Sequence, residues 1–127
     1  MLHTQGAVVL VWDETDVLTV LEVIPKEDAD GIWHQYCVVK DSLKLLITIY
    51  QYDGDVLFEL INTSNNLSVF NMRLIDCNGV LRKKDSTGEY LQFAPSKCFG
   101  NRYDGESRIP FGVRVSVNPS INVSLYG

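Results

Sequence analysis

Apolar and polar residues alternate with a period of two through most of this 127-residue chain, a rhythm that suits extended strands and no helix. Val56, Phe58 and Leu60 alternate with Leu57 and Glu59, and Phe70, Met72 and Leu74 alternate with Asn71 and Arg73. Near the end, Phe111, Val113, Val115 and Val117 alternate with Gly112, Arg114 and Ser116, and Ile121, Val123 and Leu125 with Asn122 and Ser124. Successive side chains of a strand point to opposite faces, so each run lines one dry face and one wet face. The dry set predicts a core of Leu45, Ile47, Phe58, Leu60, Phe70, Met72, Leu74, Phe111, Val113, Val115 and Val123.

Turn chemistry cuts the alternation into pieces. Asp53-Gly54 and Asn78-Gly79 accept the positive φ of tight hairpins, and Asn62–Asn66, Asp85–Gly88 and Asn118-Pro119-Ser120 are polar breaks. Strands are expected near 7–12, 17–24, 32–39, 43–52, 56–61, 67–75, 80–84, 89–93, 109–117 and 121–126. Val17–Ile24 also fits a helix, because leucines and valines fill it without clean alternation. This spacing implies one all-β domain over residues 1–127, an immunoglobulin-like antiparallel β-sandwich of about 8–10 short strands. Ala94–Arg108 is long for a hairpin loop and is expected to carry the chain from one sheet to the other.

Charge and cysteines narrow the function. Eleven basic residues against sixteen acidic ones give a formal charge of −5, which disfavours nucleic acid and anionic membranes and favours a basic partner or none. The longest apolar run, Ala7–Trp12, falls far short of the roughly 20 residues of a membrane-spanning helix. No basic segment followed by an apolar core and a small-residue cleavage site opens the chain, so a cytoplasmic location is expected. Cys37, Cys77 and Cys98 are an odd number, which reads as three thiols rather than a disulfide framework.

Candidates for chemistry are few. His34 and Cys37 stand three apart, a spacing that sends them to opposite faces of a strand and keeps them from sharing a metal. His34 lies between Trp33 and Tyr36 and reads as a packed, hydrogen-bonded core residue, while His3 is near the N-terminus. Asp53-Gly54-Asp55 is too short to match a calcium loop, and the sequence contains no Gly-x-Ser-x-Gly elbow. The expectation is a protein that is no enzyme and binds no cofactor and no metal.

Two surfaces remain as candidates for a partner. Glu27, Asp28 and Asp30, then Asp53 and Asp55, then Asp76 fall in turns that strand alternation gathers at one end. The second surface is the nominally wet side of strands 43–52 and 56–61, which carries Leu46, Tyr50, Tyr52, Leu57 and Ile61. A neighbouring element is expected to cover that patch; otherwise it is an interface. The expected partner-binding residues are therefore the six acids with Tyr50 and Leu57.

Leu43–Ile49, Val56–Ser64 and Phe70–Leu74, with Asn62-Thr63-Ser64 ahead of Phe70-Asn71, resemble the middle of an immunoglobulin-like sandwich of the adaptin-ear, or appendage, type. Val115–Leu125, with its Pro119-Ser120 turn, and Asp76-Cys77-Asn78-Gly79 are similar to strings in bacterial immunoglobulin-like domains. About half the chain is covered, and the resemblance implies noncatalytic binding of partner segments, with no binding residue carried over. Two functional readings follow: a noncatalytic protein-interaction domain, and a small acidic cytosolic immunity protein that neutralises a basic bacterial toxin such as a nuclease.

Overall fold

The computed structural model describes residues 9–95 and 112–126. One helix and nine strands follow in chain order: α1 (Glu14–Leu21), β1 (Lys26–Glu27), β2 (Trp33–Lys40), β3 (Leu43–Tyr50), β4 (Asp55–Asn62), β5 (Leu67–Leu74), β6 (Cys77–Asp85), β7 (Gly88–Pro95), β8 (Gly112–Ser116) and β9 (Asn122–Tyr126). They form an antiparallel sandwich, as expected, of a five-stranded sheet β1-β2-β3-β4-β5 and a four-stranded sheet β6-β7-β8-β9. Each sheet is a meander in which neighbours in sequence are neighbours in space.

The change of sheet differs from the expectation. It falls at Ile75-Asp76, between β5 and β6, where Asp76 takes a φ of 55°. The long stretch at 94–108 was expected to cross, yet the strands flanking it, β7 and β8, pair directly, Phe93 opposite Val113. Residues 96–111, Phe111 and Cys98 included, lie outside the described residues.

The core follows the alternation. Leu45, Ile47, Phe58, Leu74, Val113 and Val115 are buried, and Leu60, Phe70, Met72 and Val123 pack against them half-buried. Phe58 and Phe93 join the sheets edge to face, with ring centroids 5.0 Å apart. Turns at Gly54 (φ 71°) and Asn66 (φ 60°) stand where polar residues broke the pattern. Asp41 and Ser42 both have positive φ, the geometry of a two-residue hairpin that matches strand twist.

Two expected strands take other forms. Segment 17–24 is helical through Leu21: Asp13 caps α1 by accepting from the Thr15 amide at 2.8 Å, and Glu14 and Asp16 favour the positive helix end. Val17, Val20 and Leu21 form its buried face at helical spacing, and Glu22 ends it in the left-handed region. Over 9–12, the described part of the first expected strand, the chain makes one parallel bridge, Val11 to Gly79. Asn78-Gly79 is accordingly no hairpin turn; it lies within β6 where the register slips. A Cβ on Gly79 would stand 2.6 Å from the Val11 carbonyl oxygen, so only glycine admits that close approach.

Candidate functional site

The β3–β4 hairpin organises one end of the sandwich. Strand register around it sets Trp33 opposite Tyr50, Tyr50 opposite Asp55 and Leu74 opposite Val56, so the Asp28–Asp30 loop and the β3–β4 turn share that end. The Cys77 amide donates to the Gly54 carbonyl at 2.7 Å, which brings Asp76 to the same turn. Asp28, Asp30, Asp53, Asp55 and Asp76 thus share one rim, although the helix at 14–21 changed the strand count that first suggested it.

These acids are not equivalent. Asp30 and Asp53 are exposed, Asp28 caps its loop by accepting from the Trp33 amide at 3.2 Å, and Asp76 is half-buried. Asp55 accepts from Arg73 in an ion pair and retains 13% of its side-chain exposure. That hydrogen bond and charge hold the Arg73 guanidinium above its ordinary pKa. Glu27 leaves the rim group: its carboxylate lies 3.7 Å from Nε2 of His34.

The outward face of the five-stranded sheet begins where the rim ends. Trp33, Gln35, Cys37, Leu46, Thr48, Tyr50, Leu57, Glu59 and Arg73 alternate outward there, in register across four strands. Leu46, Tyr50 and Leu57 are half-buried, and the Gln35 amide donates to Thr48 Oγ1 at 3.1 Å. The expected covering element is not found among the described residues. Helix α1 packs against β6 and β7 instead, and the outer face holds an open hollow of about 410 Å³ where Leu46, Tyr50 and Leu57 stand among polar Gln35, Thr48 and Glu59.

The structure also joins two surfaces the sequence presented as alternatives. Tyr50 is the cross-strand partner of Asp55, so the apolar face runs directly into the acidic rim. An apolar centre bounded by polar and charged groups is the usual composition of a protein interface.

His34 is 3% exposed and packs edge-on against Trp12 at 4.9 Å, as a core histidine. Among the described residues the expected hydrogen bond is missing at Nδ1, which is buried without a partner. Glu14, at the start of α1, comes within 3.8 Å of Nε2, a neighbour not legible while 17–24 stood open between strand and helix. The Asp13-Glu14 pair ahead of the apolar run was the available signal, since a capping acid followed by a second acid marks a helix start. Cys37 points outward and Cys77 is buried, so His34 and Cys37 do fall on opposite faces. Among the described residues no helix is long and apolar enough to cross a membrane.

No protein-family model and no curated protein matches this sequence. The fold does have a counterpart among solved structures: a chain of a contact-dependent growth inhibition toxin–immunity protein complex from Klebsiella pneumoniae 342. The two superpose with a TM-score of 0.75 over 94% of this chain and 97% of that one, at 11% identity, a likeness of fold along nearly the whole of both.

Proposed function

We propose that this protein is an immunity protein: a noncatalytic, cytoplasmic binder that neutralises a bacterial toxin domain by docking on it. The fold match to a chain of a toxin–immunity complex, over almost the full length of both, carries this reading. The surface supports it. Half-exposed Leu46, Tyr50 and Leu57 offer an apolar centre, and exposed Asp30 and Asp53 beside them suit a partner rich in Lys and Arg. A formal charge of −5 adds long-range attraction, which speeds capture of a basic toxin.

Sequencing the adjoining genes, and co-expressing this chain in bacteria with a toxin domain found immediately upstream, tests the assignment. The expected result is rescue of growth and a stoichiometric complex on gel filtration. Growth arrest caused by this chain alone would make it the toxic component. Arrest by the toxin without rescue, and with no complex, would end the immunity reading.

A further inference from the structure

We propose that Glu14, Glu27 and His34 form a binding site for a zinc-class divalent ion, with His34 Nε2 and one carboxylate oxygen from each glutamate as ligands. This goes beyond the immunity reading and does not depend on it. The three donor atoms come from α1, β1 and β2 and all lie within 4.8 Å of one another. Nε2 stands 3.8 Å from Glu14 Oε1 and 3.7 Å from Glu27 Oε1. These separations exceed a hydrogen bond, and they exceed by about half an ångström the spacing of donors that each bond one zinc at roughly 2.0–2.2 Å. Both glutamates are at least half exposed, so their side chains can close that gap.

A pair of surface acids would carry little by itself; the histidine is the second observation. Its side chain is 4% exposed, its Nε2 faces both carboxylates at distances beyond a hydrogen bond, and its buried Nδ1 has no partner among the described residues. A metal bond at Nε2 would replace these long contacts with one short one, while the buried Nδ1, the nitrogen without a partner, would be left as it is. The glutamates also lack a cationic partner among the described ion pairs apart from His34 itself.

Donor chemistry sets the class of ion. Imidazole with carboxylates suits zinc and its first-row neighbours, whereas calcium and magnesium prefer oxygen donors alone. Three protein ligands leave a fourth position; Glu14 and Glu27 also border a hollow of about 240 Å³, which His34 does not line. An ion so held ties the first turn of α1 to the edge of the five-stranded sheet.

The test uses the full chain, stripped with a chelator and titrated calorimetrically with zinc chloride in a non-coordinating buffer. One equivalent of zinc is expected, with a rise in the thermal midpoint. Glu14→Gln with Glu27→Gln, at exposed positions that leave the fold intact by circular dichroism, should weaken binding by about tenfold or more. Cys37→Ser with Cys98→Ser should leave it unchanged. Absence of zinc binding by the native chain would overturn the site. Equal affinity in the double glutamine variant, or loss of binding in the serine variant, would move the ion elsewhere and overturn it too.

Discussion

The outer faces of the two sheets are built from the same alternation and end in different states. On the four-stranded sheet, Arg114 lies over the rings of Tyr90 and Tyr126 at 5.4 and 4.5 Å and donates to Gln92 at 3.2 Å. Its polar groups are partnered sideways, and the aromatic faces are covered by a cation. On the five-stranded sheet, Leu46, Tyr50 and Leu57 surround a hollow, and Arg73 is drawn aside to Asp55. Arg114 and Tyr90 border a hollow of about 190 Å³ on the first face, and Leu46, Tyr50 and Leu57 a wider one of about 410 Å³ on the second. The difference teaches that a wet face is recognised as an interface by what its polar residues leave uncovered, more than by its count of apolar residues.

The comparison presupposes two sheets held together from within, which the largest expected effect tests. Phe58 and Phe93 are 1% and 0% exposed and meet edge to face. Phe58→Ala should cost about 3–5 kcal/mol in urea unfolding, while Leu57→Ala, one residue away and facing out, should cost well under half of that. Equal losses would mean that something packs over the outer face as tightly as the core.

Binding sharpens the contrast between the faces. If the proposed interface is correct, Tyr50→Ala with Leu57→Ala should weaken binding of the proposed toxin partner by about 2 kcal/mol or more, roughly thirtyfold, as aromatic and apolar anchors do at interface centres. Arg114→Ala, on the opposite face, should leave affinity within about twofold. The reverse outcome, read by calorimetric titration, would exchange the roles of the two sheets.

A third difference concerns pH. Burial first, then the charges of Glu14 and Glu27, raise the Tyr36 phenol above its ordinary pKa. For a group raised on folding, the stabilisation is complete below the unfolded pKa of about 10 and is lost as pH climbs through the folded one. The native protein should therefore lose stability above about pH 10, and Tyr36→Phe should lessen that loss in alkaline denaturation curves. Tyr126, raised by burial but opposed by Arg114, should contribute less.

The smallest effect belongs to the rim. Asp30→Asn with Asp53→Asn removes two exposed charges and should slow toxin association about two- to tenfold at low salt, with the difference shrinking as ionic strength rises. Stopped-flow rates that coincide at every salt concentration would leave the open face as the sole determinant of capture.

What the residues alone determined is the run from β2 to β5 and the side of it that is dry. Those strands are long and regular, and a one-residue slip would turn Leu45, Ile47 and Phe58 to water, so their own period sets register and burial. Turn residues such as Gly54 were legible for the same local reason. The candidate surface was half legible: Tyr50, Leu57 and the rim acids follow from strand parity, while their continuity, the pairing of Asp55 with Arg73 and the departure of Glu27 do not. Tertiary structure decided what local pattern leaves degenerate. Val17–Leu21 became helix because α1 buries Val17, Val20 and Leu21 while packing against β6 and β7, a long-range contact no period of two encodes. Asn78-Gly79 became a strand bulge because Val11 arrives from far along the chain to bond beside it. The meeting of Glu14 and Glu27 at His34 has that same origin: three residues without a motif spacing become neighbours only when helix and sheet close over one core.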